Sequence, residues 1–421
     1  MKRTAGIICL CAISCFACGY LSISRRDDAR AMQLDQSKRK AVYNASVIMG
    51  RVSSTGGAPH ATMVLAYPLS FSENTLIDYV ILDRPGPFML YVPEGRYHVY
   101  SFTDVNGDRV FNEGEVSGSY SAGAGGRPAD IAVGEGSVTD DILITAIPSR
   151  RGTVTFPRKV RIRDDAMIPH QPGNGDIARI YDEKFCPANA DIGWWSPTLF
   201  MKVFGARIYI TRAFDSGKIP VLFIHGAQGS PQNWAYFLFR LDKTGFQPWF
   251  YYYPSGIRLS LASRLLYEAL LDLKKKYGFK TICIVAHSMG GLITRDLLTS
   301  YDLRKQDITV KLYITLASPW TGFESADRAL QLPSKKLPIW YDVASTSAFI
   351  NQTLQARLPS SVSYYLFYGR GDSVAQGKAL DERAYSGAKG KIGFDVDHNT
   401  ILSDRKVFSQ FRAILTRELG R

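Results

Sequence analysis

The sequence has few cysteines and little uninterrupted hydrophobic sequence. Four of its six cysteines precede residue 20, which leaves Cys186 and Cys283 for the rest of the 421-residue chain. A disulfide framework is therefore excluded as the source of stability. The only long apolar run, Ala5 to Leu21, excludes a protein with many membrane-spanning helices. Hydrophobic residues make up 46% and charged residues 21%, which excludes a disordered chain and leaves enough material for buried cores.

The apolar run at the N-terminus is typical of an export signal. Met1–Arg3 is basic, and the run is shorter than the roughly 20 residues that a spanning helix needs, so we predict cleavage rather than retention as an anchor. Cys15 and Cys18 lie near the position of the lipidated cysteine in bacterial lipoproteins; the alternative is that both are simply apolar residues of the signal. We predict that residues 1–18 are the signal and that the protein is exported to the bacterial cell envelope. There it is either periplasmic or a lipoprotein anchored to a membrane, and secretion from the cell is a further alternative.

The net charge of +13 is unevenly distributed along the chain. Residues 44–147 have more acidic than basic side chains, whereas residues 181–421 have an excess of basic ones. No aromatic-basic repeat or recognition motif accompanies that excess, so we predict no nucleic-acid partner. Residues 19–43 form a polar tether that ends in a basic cluster. Such a cluster suits association with an anionic membrane surface, although a solvated linker is the favoured interpretation of this segment.

Residues 44–148 are predicted to form a small antiparallel β-sandwich. Short β-rich runs alternate there with turn clusters such as Pro85–Pro87 and Gly123–Gly126, and helical periodicity is absent. The module resembles the carboxypeptidase-regulatory or transthyretin-like sandwiches that are attached to secreted enzymes, a resemblance that defines no function. Residues 149–189 are rich in Arg, Pro and Gly and are predicted to be a linker to the second module.

One turn of the first module has oxygen-bearing side chains at positions 1, 3, 5, 9 and 12 of a calcium-type loop. The glycine that such loops have at position 6 is replaced by Arg109, so a hairpin with acidic turn residues is favoured over calcium binding. We predict neither a metal nor a cofactor for this protein. The oxygen-bearing residues of the loop are Asp104, Asn106, Asp108, Asn112 and Glu115.

Residues 190–421 alternate predicted strands and helices, which is typical of a mostly parallel, doubly wound sheet covered by helices. Ile219–Ile224 is a continuous apolar strand, and Ser230–Pro231 after it indicates the start of an amphipathic helix. Thr281–Ala286 is predicted to be a strand and Gly290–Ser300 a helix. The predicted fold class is therefore α/β, with a small all-β domain before it.

A sharp turn at Ser288 joins that strand to that helix. A serine at such a turn holds its hydroxyl above the sheet, and small residues two positions before and after it let the two backbones pass closely. Ala286 and Gly290 fill those positions; alanine in place of the usual glycine is a mild departure that leaves the steric argument intact. We predict Ser288 as a nucleophile, with a helix-capping serine as the alternative.

A serine nucleophile needs a base and a third group that orients the base, and in this fold class the order along the chain is serine, acid, histidine. His398 is the only histidine after Ser288 and is therefore the predicted base. Asp372 follows an apolar strand through a glycine turn, which places its carboxylate at the same edge of the sheet as Ser288. Asp395 and Asp397 are too close in sequence to His398 to orient its ring, so Asp372 is the preferred acid.

The negative oxygen that develops during acyl transfer needs two backbone N–H donors. The N–H of Met289 is the first predicted donor. The second is expected from the loop after the Ile219–Ile224 strand, where glycines give the backbone freedom; Ala227 is preferred and Gln228 is the alternative. His225, at the start of that loop, is interpreted as structural.

Residues from about 190 to 421 resemble the α/β-hydrolase superfamily, and within it the bacterial lipase and esterase branch. The resemblance rests on three segments, His225–Ser230, Ala286–Gly291 and Leu316–Gly322, and covers slightly more than half of the chain. It implies a serine-based acyl transfer to water, with the three predicted catalytic residues at the matching positions. It does not identify the acyl group.

Residues 320–360 form an insertion at the place where relatives of this branch keep a lid or cap over the acyl pocket. The alternative is that its apolar residues simply pack against the domain. The insertion also contains Asp342, a carboxylate that we prefer less than Asp372 as the acid.

The sequence as a whole predicts an exported serine hydrolase that cleaves carboxylic esters, with a lipid or lipid-like substrate and association with a membrane surface. An envelope enzyme that transfers the acyl group to an alcohol or amine is one alternative. A non-catalytic binding protein on a hydrolase fold is the other, and the complete set of catalytic residue types argues against it.

Overall fold

The structure is a computed structural model. The described residues form two compact units, one on either side of residues 149–172. Within the described ranges, no helix combines the length and the apolar character needed to cross a membrane. The predicted export signal, its two candidate lipidation cysteines and the tether lie outside these ranges. The structure describes residues 46–54, 60–69, 76–82, 84–108, 110–112, 114–121, 128–134, 137–148, 173–332, 336–375 and 381–420.

The first unit is built from strands alone in its described part. The strands are ordered β3-β2-β5-β6-β8-β1-β4, and β7 pairs with β5. Side chains alternate along β8, where Ile142 and Ile144 are buried and Leu143 is 66% exposed, because successive residues of a strand point to opposite faces. The strands are β1 Ser46–Ser54, β2 Ala61–Pro68, β3 Asp78–Leu82, β4 Pro87–Val92, β5 Gly95–Asp104, β6 Val116–Ser119, β7 Ile131–Val133 and β8 Val138–Pro148.

The first unit has its own hydrophobic core, to which Ile48, Val64, Leu90, Val99 and Ile144 contribute from five different strands. One strand pair departs from the predicted antiparallel arrangement, since β1 and β8 are parallel. These two strands are far apart in sequence, so no hairpin imposes antiparallel pairing on them. The resemblance to transthyretin-like sandwiches stays a prediction.

The second unit contains a mostly parallel sheet, as the sequence predicts, in the order β16-β15-β14-β13-β11-β12-β10-β9. Strands β11 to β16 run in the same direction, and β10 is antiparallel to β12. The strands are β9 Asp176–Ile177, β10 Arg207–Ile210, β11 Ile219–Ile224, β12 Phe246–Tyr252, β13 Thr281–His287, β14 Thr309–Leu316, β15 Ser363–Gly369 and β16 Gly390–Phe394.

Helices alternate with these strands because apolar residues recur at helical spacing between them. In the longest helix, Leu259–Tyr277, Leu266, Leu270 and Leu273 are fully buried, and Gly278 ends it in the left-handed conformation. The helices are α1 Pro187–Trp195, α2 Pro197–Val203, α3 Ala235–Arg240, α4 Leu259–Tyr277, α5 Met289–Ser300, α6 Glu324–Gln331, α7 Trp340–Val343, α8 Ala348–Gln355, α9 Glu382–Tyr385 and α10 Arg405–Leu419.

The boundary of the second unit differs from the sequence prediction of a linker over 149–189. The described part of that range, residues 173–189, belongs to the second unit: β9 pairs with β10, and Phe185 is buried. Strand β9 has only two residues and is held by backbone hydrogen bonds, so it does not need the alternating apolar residues by which strands are predicted. For this reason the polar, glycine-rich sequence around it shows no strand pattern. The α/β domain therefore begins before residue 190.

The direction of the parallel strands brings the predicted site residues to one edge of the sheet. Ala227 follows β11, Ser288 follows β13 and Asp372 follows β15. The carboxyl ends of parallel strands lie at the same edge, where α/β sheets place their ligands. His398 lies in the loop between β16 and α10 and reaches the same edge. We refer to this as the carboxyl edge.

Candidate active site

Ser288 occupies a strained turn between β13 and α5. Its φ of 51° and ψ of −126° lie in a region that residues with a side chain rarely adopt. Two glycines allow the close packing that this turn needs: a Cβ on Gly226 would lie 2.7 Å from the Ser288 Cβ, and one on Gly290 would lie 2.6 Å from the His225 carbonyl oxygen. This is the geometry of a nucleophile elbow.

The three predicted catalytic residues form one continuous hydrogen-bonded series. His398 Nε2 lies 2.9 Å from the Ser288 Oγ, and His398 Nδ1 lies 2.8 Å from the Asp372 Oδ2. Since an ionised carboxylate can only accept, Nδ1 carries the ring proton and donates it to Asp372. Nε2 is then the acceptor for the Ser288 hydroxyl, which is the arrangement a general base requires.

Asp372 is held ionised in a buried position. Its side chain is 2% exposed, and this burial disfavours the charge. The hydrogen bonds from His398 and from the backbone N–H groups of Val374 and Ala375 outweigh the burial and lower the pKa of Asp372 below its ordinary value. The two N–H groups donate to Oδ1, which leaves Oδ2 for the histidine.

The structure distinguishes between the two candidates for the second oxyanion donor. The N–H of Gln228, the alternative, already donates to the Ser255 Oγ at 2.9 Å. Ala227 precedes it in the same loop, beside Gly226, which packs against Ser288. Met289 is the first residue of α5, and N–H groups in the first turn of a helix have no acceptor within the helix. Ala227 and Met289 remain the predicted donors.

His287 makes a contact that the sequence did not reveal. Its Nε2 donates to the carbonyl oxygen of His398 at 2.8 Å, so the residue before Ser288 holds the loop of the predicted base. Burial, with a further contribution from His398, lowers the pKa of His287 to about 3. It is therefore neutral at physiological pH. A histidine adjacent to the turn was a visible signal, but its partner is 111 residues away.

His225 has the surroundings of a structural residue. Its ring stacks on Tyr253 with 4.3 Å between centroids, and the Tyr253 hydroxyl donates to the His225 carbonyl oxygen at 2.8 Å. Burial lowers the pKa of His225 to about 4. These contacts fix the start of the loop that contains Ala227.

The insertion over 320–360 is anchored to the body of the unit in its described part. Asp342 is buried and accepts hydrogen bonds from the Arg258 guanidinium and from the backbone N–H of Leu259 at the start of α4. The N–H of Ile339 donates to the Gly256 carbonyl oxygen at 3.1 Å. These contacts agree with the alternative that the insertion packs against the domain. That the insertion opens as a lid stays a prediction. Asp342 serves here as an anchor and does not contact His398.

In the acidic turn of the first unit, the carboxylates accept hydrogen bonds from backbone N–H groups of the same turn. The carboxylate of Glu115 accepts the N–H groups of Val105 and Asn112, each at 2.9 Å, and Asp104 accepts the N–H of Gly107. Burial raises the pKa of Glu115. Among the residues that the structure describes, no group of three or more His, Cys, Asp or Glu side chains is arranged to hold a metal ion.

The strand order, the elbow at Ser288 and the loop after β11 define an α/β-hydrolase fold. Residues 218–353, about a third of the chain, match the family described as "Putative serine esterase (DUF676)". That match spans β11, the loop after it, the elbow and most of the insertion. No curated protein matches the sequence at a significant level.

Several solved structures are similar to about half of this chain. The product of gene lin2722 from Listeria innocua has 20% identity and a TM-score of 0.38, with 47% of this chain and 94% of that one covered. The mature lipase BlEst2 from Bacillus licheniformis has 20% identity and a TM-score of 0.38, covering 49% and 97%. Est1E from Butyrivibrio proteoclasticus has 16% identity and a TM-score of 0.38, covering 52% and 96%. With TM-scores this low, the assignment of the fold rests on the strand order and the elbow.

Proposed function

We propose that this protein is an exported carboxylic ester hydrolase that acts on lipid or lipid-like esters through an acyl-enzyme on Ser288. The single observation that supports this most directly is the hydrogen-bonded series from Ser288 through His398 to Asp372 at the carboxyl edge. The match of residues 218–353, which include Ser288, to a family described as a putative serine esterase supports the reaction class. The apolar N-terminal run supports export.

The first half of the reaction forms the acyl-enzyme. His398 Nε2 takes the Ser288 proton as Oγ attacks the ester carbonyl carbon. The N–H groups of Ala227 and Met289 donate to the oxygen that becomes negative. Asp372 keeps the ring in the correct tautomer and stabilises the imidazolium that forms. His398 then gives its proton to the departing alcohol, and the acyl group remains on Ser288.

The second half of the reaction returns the enzyme to its starting state. His398 accepts a proton from water as the water oxygen attacks the acyl carbonyl carbon. The second tetrahedral intermediate uses the same two backbone donors. Its collapse breaks the bond to Ser288, His398 returns the proton to Oγ, and the carboxylic acid leaves.

The experiment that tests this proposal is the hydrolysis of p-nitrophenyl esters, from acetate to palmitate, by the purified protein and by Ser288→Ala. We expect hydrolysis that falls by about 10⁴-fold or more in the variant, because the nucleophile is removed. Greatest activity on long chains supports a lipid substrate, and activity on short chains alone assigns an esterase with a smaller pocket.

Two outcomes would overturn the proposal or redirect it. If the protein and Ser288→Ala leave every ester untouched and a fluorophosphonate does not label Ser288, the fold has no working nucleophile and the binding-protein alternative stands. If Ser288 is labelled and the acyl group appears on an added alcohol or amine rather than on water, the protein is the acyltransferase of the other alternative.

A further inference from the structure

Exposed aromatic side chains lie at the edge of the second sheet opposite Ser288. Because β11 to β16 are parallel, the segments that precede these strands lie at this opposite edge, which we call the amino edge. Strands β9 and β10 run opposite to β11 to β16, so Tyr181, which follows β9, lies at the amino edge. Phe239 lies there too, at the end of α3, which returns the chain to the start of β12. Their rings stack with 6.1 Å between centroids, yet Tyr181 is 66% and Phe239 is 55% exposed. Large side chains exposed together mark interaction sites.

A cavity of about 450 Å³ beside this aromatic pair is lined by Arg179, Arg212 and Lys243. The structure records no ion pair between these cations and any carboxylate of the described residues. One carboxylate, Asp182, also lines the cavity, but it accepts the backbone N–H of Arg179 at 3.0 Å and lies 3.8 Å from the Lys184 Nζ. The cavity therefore has an excess of positive charge.

Further cations extend along the same edge. Helix α4 has Lys274–Lys276 in its last turn, Lys280 precedes β13 and Lys305 precedes β14. Asp307 lies 2.9 Å from the Lys274 Nζ and 3.8 Å from the Lys280 Nζ, so one carboxylate serves two lysines, and Asp302 lies 3.6 Å from the Lys305 Nζ. Lys275 and Lys276 are exposed. The amino edge thus presents a broad basic surface around the cavity.

Aromatic side chains beside cations are suited to the boundary of a membrane. Tyrosine and similar rings sit at the level of lipid head groups, where one end is apolar and the other is hydrated. Lysine and arginine near an anionic leaflet are each attracted to its surface. A concave cation-lined cavity adds a place for a phosphate, which a flat basic surface lacks.

We propose that the amino edge of the second unit docks on an anionic phospholipid surface, with a head-group phosphate bound between Arg179, Arg212 and Lys243. The stacked rings of Tyr181 and Phe239 then enter the head-group layer. In this orientation the carboxyl edge faces away from the docked membrane. Ester substrates therefore reach Ser288 from the opposite side.

The test is a lysine footprint on the full chain carrying Ser288→Ala, so that vesicle contact is measured independently of any esterase activity. The protein is mixed with vesicles of phosphatidylcholine, or of equal parts phosphatidylcholine and phosphatidylglycerol. A water-soluble reagent acetylates the lysines, and mass spectrometry gives the initial rate at each one. We expect acetylation of Lys243, Lys280 and Lys305 to slow severalfold with anionic vesicles. Lys202 and Lys336, toward the carboxyl edge, serve as internal controls whose rates stay unchanged.

Paired variants identify the cavity as the source of the protection. Arg212→Gln combined with Lys243→Gln is expected to weaken the association about fivefold for each cation removed, so Lys280 becomes more reactive. Arg328→Gln combined with Lys336→Gln makes the same change in charge at the carboxyl edge and leaves the footprint unchanged. Tyr181→Ser combined with Phe239→Ser tests the aromatic contribution and is expected to raise the reactivity of Lys280 as well.

Three results would overturn the proposal. Equal rates with neutral and anionic vesicles would show that no anionic surface is bound at this edge. An equal loss of protection in the two charge variants would show attraction by net charge without a site. Protection of Lys243 by inorganic phosphate with neutral vesicles, and none with phosphatidylglycerol, would assign a site for a small anion instead of a lipid surface.

Discussion

Ser288 shows how strain at a single residue serves the site. Its backbone conformation costs energy, which packing of the elbow against Gly226 and the hydrogen bond from its N–H to the Leu316 carbonyl oxygen offset. The same turn directs Oγ toward His398. Local strain and the position of the nucleophile therefore have one cause, the sharp change from strand to helix.

A second residue-scale effect concerns His287, which is expected to position His398 without touching the substrate. We expect His287→Ala to lower kcat for a short ester by about tenfold with little change in KM, because the loop of the base loses its hydrogen bond. His287→Gln retains an N–H donor and should restore part of kcat. Equal losses in both variants, or a change in KM alone, would refute this role. Steady-state kinetics give both constants.

The charge of Asp372 leads to a further prediction at this scale. Asp372→Asn replaces an acceptor with an amide that can donate to Nδ1, which favours the tautomer with its proton on Nε2. We expect kcat to fall by about 10⁴-fold while the fold remains intact. Asp395→Asn is the matched control, because Asp395 pairs with Arg370 and should affect kcat little. Similar losses in the two variants would contradict the assignment of the acid.

At the scale of elements, the insertion is held where α7 meets the start of α4. Asp342 is 1% exposed, whereas its partner Arg258 is 32% exposed, so the pair lies at the boundary between core and solvent. Burial raises the pKa of Asp342 despite the nearby guanidinium. The carboxylate also accepts the N–H of Leu259, a donor without an acceptor inside its own helix. One side chain thus caps a helix and anchors the insertion.

Removal of this anchor should destabilise the second unit. We expect Asp342→Ala to lower its free energy of unfolding by about 3 kcal/mol, since the Leu259 N–H and the arginine lose their partner. Glu324→Ala removes an exposed pair with Arg328 and should cost about 0.5 kcal/mol or less. Denaturant unfolding followed by tryptophan fluorescence measures both. Costs of similar size would show that Asp342 is not an anchor.

At the scale of the whole molecule, the two units have separate cores and different architectures. All six tryptophans belong to the second unit, at positions 194, 195, 234, 249, 320 and 340. Tryptophan fluorescence therefore reports the unfolding of the α/β unit alone.

The buried histidines should make the second unit less stable in mild acid. Burial lowers the pKa of His225 to about 4 and that of His287 to about 3, whereas both titrate near their ordinary value of 6.5 in the unfolded chain. Between about pH 6.5 and about pH 4 the unfolded state binds more protons, so the free energy of unfolding decreases as the pH falls. The decrease approaches about 1.4 kcal/mol per pH unit for each histidine.

Denaturation midpoints between about pH 7 and about pH 5 measure this effect, in a range where most carboxylates stay ionised. His287→Gln should remove about half of the pH dependence that the two histidines cause. A stability that does not change over this range, or a slope that the variant leaves intact, would mean that the histidines are protonated in the folded unit.

The sequence determined most of the elements that surround the site. The bounds of β11 agree with the predicted strand Ile219–Ile224, because a continuous apolar run leaves little ambiguity. The sequence patterns did not predict strands β9, β10 and β16. These strands are short, lie toward the two ends of the sheet and need few apolar residues.

What the sequence determined by itself about this protein is its class of fold and the identity of Ser288, His398 and Asp372 as candidates, since local turn chemistry and chain order restrict these choices. Tertiary structure alone decided that Gln228 is engaged by Ser255, that His287 holds the loop of His398, and that cations from distant segments share the amino edge. These are contacts between residues far apart in the chain, and only the packing of strands and helices brings such residues together.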